Sequence, residues 1–310
     1  MSKRKQKKVM RSMLTAIIAI ILAILTYFLE PWQYIDETGG DIGTRNEISV
    51  DDLQVHFIDV GQADSILVRV PGEGGTVDML IDAGTSDGHP ASVVTDYLTA
   101  QGVDDIEYLI ITHPDSDHVA ALDEVIYAFD VENVLLTECE KNTKTWEKVL
   151  IAIDEENANV EYIPDHLGET YIVGEASFKV LGPVELLDDA NDCSIVIRLD
   201  YGETSFLLSG DAEKAEEAQI LGYWNASEFE CDVFKAGHHG SGTSSSEALL
   251  KAAKPALVVI SCGEGNSYGH PHANVLERFE SFGIDVLRTD LEGTIILCSD
   301  KNEVYRLTSD

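Results

Sequence analysis

Short apolar runs alternate with amphipathic stretches along most of the chain after residue 50. Runs rich in β-branched residues predict strands at 53–60, 65–70 and 77–81, and the glycine-rich segment 72–75 predicts a hairpin turn. Helix-like periodicity is predicted at 92–101, 119–129, 145–157, 213–221, 244–253 and 274–282. Further strands are predicted at 108–112, 133–136, 160–163, 178–181, 194–199, 204–209, 233–236, 256–261, 285–288, 294–298 and 303–307. Two similar halves, each opening with strands, favour a mixed α/β fold: a four-layered αββα sandwich.

A different pattern occupies the N-terminus. Residues 13–29 are almost wholly apolar and uncharged, which is enough to span a bilayer as one helix. Six basic residues within 1–12 precede this run, so the positive-inside rule keeps the N-terminus cytoplasmic and a body at 51–310 outside, beyond a polar linker at 30–50. We therefore expect a single-pass protein of the cell membrane. The alternative is a cleaved signal peptide and a secreted protein.

The charge balance limits the partners. The 310 residues include 21 Lys and Arg against 56 Asp and Glu, a net charge of -35, and the basic residues are concentrated at the N-terminus. An apolar fraction of 44% excludes disorder of the whole chain. Such an acidic body repels polyanions at long range unless a local site holds cations.

The strongest chemical signal is the segment His113-Pro-Asp-Ser-Asp-His118, which follows an apolar strand and precedes a helix. It offers four potential ligands within six residues: His113, Asp115, Asp117 and His118. Imidazole and carboxylate are ligands expected for Zn²⁺, Mn²⁺ or Fe. A solvated loop with an aspartate N-cap would explain one of these residues but not all four.

Three later segments carry further polar groups at turns. Asp211 follows a strand in Ser209-Gly-Asp211, where a turn or helix cap is the simple interpretation. Two adjacent histidines lie in the glycine-rich segment 235–243; their side chains must diverge, so one could bind metal while the other meets substrate. The segment Tyr268-Gly-His-Pro-His272 is a polar turn before a helix.

Taken in order, these motifs resemble those of metallo-β-lactamase-fold hydrolases, and more narrowly the C-terminal extracellular domain of the ComEC competence proteins. The resemblance covers about 53–310 and also includes the segments 57–65, 81–84 and 191–196. Ala63 stands where this family usually has glycine. The resemblance implies the αββα sandwich with a metal site at one edge.

The resemblance also implies a ligand set. His113 and Asp115 would face one metal, Asp117 and His118 the second, and Asp211 would bridge the two. His238 would complete the second site, although the choice between His238 and His239 stays open. The wider fold has a second histidine at position 115 and a third-motif histidine where this chain has 191–194, so oxygen ligands replace imidazoles. The expected cofactor is one or two divalent ions, Zn²⁺ or Mn²⁺. Oxygen ligands in place of imidazoles shift the preference toward Mn²⁺ or Mg²⁺.

From these residues we expect a metal-dependent hydrolase, most simply a phosphodiesterase or nuclease acting outside the cytoplasm. Asp117 and Asp211 are the expected catalytic carboxylates. Residues expected to bind an anionic substrate, including single-stranded DNA, are Lys235, His239, Ser241, Thr243, His270 and His272. The chain shows no basic stripe interleaved with aromatics, so a small anionic ester is a rival substrate. A non-catalytic binding module on the same fold is a further alternative.

Overall fold

The computed structural model of the protein describes residues 42–86, 89–90, 92–139 and 141–308. Sixteen strands lie within this part of the chain: β1 (Gly43–Arg45), β2 (Leu53–Phe57), β3 (Ile66–Gly72), β4 (Gly75–Ile81), β5 (Asp105–Ile110), β6 (Asp130–Thr137), β7 (Asn159–Ile163), β8 (Thr170–Val173), β9 (Ala176–Gly182), β10 (Val196–Tyr201), β11 (Thr204–Leu208), β12 (Val233–Lys235), β13 (Leu257–Ile260), β14 (Asp285–Arg288), β15 (Ile295–Ser299) and β16 (Val304–Leu307). The helices described are α1 (Val93–Gln101), α2 (Ser116–Val119), α3 (Leu122–Ala128), α4 (Lys144–Glu156), α5 (Lys214–Tyr223), α6 (Glu247–Ala253), α7 (Ala273–Ser281) and α8 (Thr289–Glu292).

The strands form two mixed sheets. The first has the order β1-β16-β15-β2-β3-β4-β5-β6-β7, and the second has the order β14-β13-β12-β11-β10-β9-β8. Apolar side chains of both sheets, including Phe57 and Phe178, form one buried cluster between them. A second cluster joins the first sheet to α1–α4, and a third joins the second sheet to α5–α7. This is the predicted mixed α/β sandwich, with two sheets inside and helices on both outer faces.

Most predicted elements are present, and the differences have local causes. The helix predicted at 119–129 divides into α2 and α3, because the amide of Ala121 donates to the carbonyl of Ala83 at 2.8 Å and leaves the helical pattern. The short strand β8 was not predicted; it pairs antiparallel with β9. Within the expected linker, β1 pairs in parallel with β16 and extends the first sheet.

The predicted transmembrane segment at 13–29 and its basic tail lie outside the described residues. No helix in the part of the chain that the structure describes has the length and apolarity needed to cross a bilayer.

Candidate metal centre

The loops that carry the candidate ligands follow the carboxyl ends of strands in both sheets. In the first sheet β4 and β5 are parallel, and Asp82 and His113 follow their carboxyl ends. In the second sheet β11, β12 and β13 are parallel, and the loops with Asp211, His239 and His270 follow them. Because the carboxyl ends of parallel strands meet at one edge, residues far apart in sequence converge here.

Three buried histidines in this region share one hydrogen-bonding pattern. The Nδ1 atom of His118 donates to Asp82 Oδ2 at 2.7 Å, and that of His239 donates to the carbonyl of Ser261 at 3.0 Å. The Nδ1 atom of His113 lies 3.1 Å from the hydroxyl of Thr112. In all three rings the Nε2 atom is buried and has no hydrogen-bond partner. An outer nitrogen fixed by a hydrogen bond and an inner nitrogen left open is the arrangement of metal-ligating histidines.

Carboxylate oxygens surround two of these open nitrogens. Nε2 of His118 lies 3.3 Å from Asp211 Oδ1, and Nε2 of His239 lies 3.3 Å from Asp117 Oδ2 and 3.5 Å from Asp211 Oδ2. Two ligand atoms at tetrahedral positions about 2.0–2.1 Å from a zinc ion are themselves about 3.4 Å apart. Each of the three separations fits two ligands of one divalent ion, and Asp211 meets the two histidines through different oxygens.

The buried carboxylates and histidines of the cluster shift one another's pKa values strongly. Burial lowers the pKa of His118 and His239, but the surrounding carboxylates, with Asp211 foremost, outweigh it and raise both values above their ordinary range. Burial acts to raise the pKa of Asp211, yet His118 and His239 hold it well below its usual value. A divalent cation at the centre would balance the same carboxylates.

Asp64 and Lys235 form a second layer behind the ligands. One carboxylate oxygen of Asp64 is paired with the ammonium of Lys235, which also donates to the carbonyl of Gly210 at 3.0 Å. The other oxygen of Asp64 has no hydrogen-bond partner, and Asp64 groups with His118, Asp211 and His239 within 4.8 Å. Lys235 was expected to bind substrate, but its side chain is only 1% exposed, so it faces the interior.

The side of the centre around His113 is less complete. His113 lies next to His118, with ring centroids 4.1 Å apart, and Ser194 Oγ lies 3.4 Å from its Nδ1. Asp115 is paired with Lys141 at the surface. In the stretch that replaces the third-motif histidine, the carboxylate of Asp192 accepts the amides of Glu213 and Glu216 and so caps α5.

The remaining candidate residues lie around the buried cluster of His118, Asp211 and His239. His238 has a 24% exposed side chain, its Nδ1 lies 2.9 Å from Glu213 Oε1, and its Nε2 is 3.8 Å from Asp211 Oδ2. The hydroxyls of Ser241 and Thr243 bond each other at 2.8 Å, and Thr243 donates to Glu213. Nδ1 of His272 accepts the amide of Gly242 at 2.8 Å. His270 lies between these groups and the centre, and burial lowers its pKa to about 4.

A cleft of about 910 Å³ opens beside the centre. Asp117 lines it, together with Gln62, Asn266 and Tyr268. Among the described residues, those that line the cleft include Asp59, Glu264 and Asp290 but no lysine or arginine. The described lining residues therefore offer no lysine or arginine charge to an anion that enters the cleft.

Two residues of the segment 81–84, Asp82 and Gly84, shape the centre although the sequence predicts no role for them. Asp82 accepts from His118 and from both the amide and the hydroxyl of Thr112, at 2.6–2.8 Å. A side chain on Gly84 would lie 1.6 Å from the carbonyl oxygen of Asp117, so only glycine lets the two loops approach this closely. Ala63 is fully buried and is not among the residues with positive φ, so its loop accepts alanine.

Comparison with known proteins identifies the family to which this fold belongs. Residues 58–264 match the family model described as the metallo-beta-lactamase superfamily, and the chain belongs to that superfamily. Over 258 residues it is 34% identical to "ComE operon protein 3" of Bacillus subtilis, covering 78% of this chain and 32% of the relative. It is also 32% identical over 257 residues to "Recombination protein 2" of Haemophilus influenzae, covering 80% of this chain and 29% of the relative. These relatives are consistent with the resemblance to ComEC-type competence proteins, and the chain spans about a third of their length.

A solved structure with the same fold is CmlA, a diiron beta-hydroxylase from Streptomyces venezuelae. It aligns with a TM-score of 0.50 and 14% identity, over 84% of this chain and 55% of CmlA. At this identity the likeness concerns the fold alone.

Proposed function

We propose that the protein is a metal-dependent phosphodiesterase whose ligands are Asp117, His118, Asp211 and His239, with His113 and Asp115 beside a second, weaker position. The observation that carries the proposal is the convergence of buried, unpartnered Nε2 atoms on carboxylate oxygens at 3.3–3.5 Å. A divalent cation held there supplies a Lewis acid that activates water and polarises an ester oxygen. This proposal assigns the ligand role to the buried His239, since its Nε2 lies 3.3 Å from Asp117 Oδ2 and 3.5 Å from Asp211 Oδ2, whereas Nε2 of the part-exposed His238 lies 3.8 Å from Asp211 Oδ2.

Asp117 is the residue best placed to act on the attacking water. It lines the cleft, its side chain is 36% exposed, and Oδ2 lies 3.3 Å from His239 Nε2. Burial opposes ionisation, but the nearby imidazoles of His239 and His118 outweigh it and lower the pKa of Asp117 below its ordinary value. The carboxylate is therefore ionised at neutral pH and can orient a water molecule in the cleft. The fully buried Asp211 is a ligand without contact with bulk solvent.

A phosphodiester of a nucleic acid is the substrate that the relatives support, because one of them is named for recombination. The cleft itself favours a second candidate, a small anionic ester. Its volume of about 910 Å³ lies within the roughly 300–1,000 Å³ of small-molecule sites. Binding of a long polyanion normally draws on many lysines and arginines, and the described lining of this cleft offers none.

The test is hydrolysis by the full chain with added Zn²⁺ or Mn²⁺, on single-stranded DNA and on a small chromogenic phosphodiester. We expect activity that is lost in His118→Ala and in Asp211→Ala and kept in Asp154→Asn, a substitution on the exposed face of α4. Circular dichroism establishes that each variant folds. Preference for the chromogenic ester would favour the second candidate. Bound metal without turnover on either substrate would contradict the proposal and favour a binding module.

We further propose that the activity is extracytoplasmic and membrane-anchored, on the basis of the apolar run at 13–29 and its basic flank. Protease accessibility of the 51–310 region in intact cells tests this, and protection from protease would contradict it.

A further inference from the structure

An exposed aromatic ring borders the cleft. Tyr268 is 67% exposed and lines the cleft that Asp117 also lines. Its ring stacks on that of His270, with a centroid distance of 5.7 Å and an interplanar angle of 27°. His270 lies in turn 6.4 Å from the ring of His239, so two ring-to-ring steps connect Tyr268 with the proposed metal ligands.

The loop holds this ring pair in place. The side chain of Asn266 donates to the carbonyls of Gly263 and His270 at 3.0 and 2.6 Å and accepts the amide of His270 at 3.0 Å. The side-chain nitrogen of Gln62 lies 3.3 Å from Nδ1 of His270. Tyr268 therefore rests on a ring that is fixed by its own loop and by Gln62 of another loop, which lowers the entropic cost of stacking a ligand against it.

The composition of the cleft makes such stacking important. Its described lining residues include no lysine or arginine, so affinity for a nucleic acid cannot come from paired phosphates along a strand. Stacking of a base on an aromatic side chain contributes without any charge and tolerates every base. A base inside a duplex has both faces covered by its neighbours, so only an unpaired or terminal base can stack on Tyr268.

We propose that Tyr268 is the platform on which a base beside the scissile phosphate stacks, so that the enzyme selects unpaired nucleic acid. This inference rests on the proposed phosphodiesterase function. It assigns Tyr268 to substrate binding in addition to the residues expected from the sequence.

The test compares two substrates of the full chain: a short single-stranded oligonucleotide and the same sugar-phosphate backbone without bases. For Tyr268→Ala we expect KM on the base-bearing strand to rise roughly 5- to 150-fold, the range for loss of one stacked base. Its kcat and its rate on the abasic strand should stay unchanged. Tyr268→Phe should restore KM, because the ring and not the hydroxyl stacks. Tyr127→Ala, which removes an exposed ring on α3 away from the cleft, is the matched control.

The possible results distinguish the role of Tyr268 from the proposed phosphodiesterase function. If Tyr268→Ala raises KM equally on both strands, or on neither, the role of Tyr268 is overturned and the phosphodiesterase function is left intact. A wild-type chain that hydrolyses the chromogenic phosphodiester but neither strand would overturn the role of Tyr268 alone, and one that hydrolyses none of the three would overturn both. A duplex cleaved as fast as the single strand would also overturn the selection for unpaired substrate.

Discussion

Nδ1 of His118 donates to the carboxylate of Asp82 at 2.7 Å, and both side chains are buried. The same carboxylate accepts the amide and the hydroxyl of Thr112, so its position is fixed by the end of β5. This pairing selects the tautomer of His118 whose Nε2 atom can accept a metal. Asp82 thus sets the orientation of a ligand without being one.

Replacing Asp82 tests that relationship. We expect Asp82→Ala to fold and to lower metal affinity about 10- to 100-fold, the usual effect of removing an outer-shell carboxylate. Affinity is measured by competition with a chromogenic chelator. Asp154→Asn on α4 should bind as the wild type does, and an unchanged affinity of Asp82→Ala would contradict the assignment.

The adjacent histidines give a matched pair of variants. His239→Ala removes a buried Nε2 that lies 3.3–3.5 Å from two carboxylates, so we expect it to lose the tightly bound ion. His238→Ala removes a ring that is 24% exposed and whose Nε2 lies 3.8 Å from Asp211 Oδ2, so we expect the metal content to remain. Elemental analysis of both purified variants decides between them. The reverse result would transfer the ligand role to His238.

Lys235 balances charge inside the protein. Lys235→Met leaves Asp64 without its partner, and loss of one member of a buried ion pair costs about 3–5 kcal/mol. Denaturant unfolding in the presence of chelator measures this loss. The double variant Lys235→Met with Asp64→Asn should recover part of it, whereas Lys251→Met at the exposed end of α6 should cost about 0–1 kcal/mol. A single variant as stable as the wild type would show that the pair is unimportant.

Glu216 makes the stability depend on pH. Burial, reinforced by Asp192, raises its pKa well above the ordinary 4.5. A raised pKa in the folded state means that stability is highest below the ordinary value and falls as pH rises through the folded one. We expect Glu216→Gln to remove this fall, so that the variant gains relative to the wild type as pH increases. If the free energies of unfolding of Glu216→Gln and the wild type depend on pH in the same way, the buried neutral carboxyl of Glu216 is contradicted.

The sequence predicts candidate ligands in compact motifs that follow strands. The segment with His113 and His118 follows β5 of the first sheet and Asp211 follows β11 of the second, and the packing of the two sheets brings these loops together. The two-sheet core could likewise be predicted, since alternating and continuous apolar runs mark the strands.

Other parts depend on tertiary contacts that no local pattern encodes. Both His238 and His239 have positive φ, so the turn geometry decides which ring points inward. Burial of Lys235 depends on Asp64, which comes from a distant loop of the other sheet. The short strands β1 and β8 are set by their partners β16 and β9 rather than by their own composition.

The most direct test of the metal centre is the divalent metal content of the purified full chain, wild type against Asp211→Ala, after exposure to Zn²⁺ or Mn²⁺ and removal of the excess. We expect at least one tightly held ion per wild-type chain and its loss in Asp211→Ala, with both proteins folded by circular dichroism. A folded wild-type chain that retains no metal, or a variant that retains as much, would contradict it.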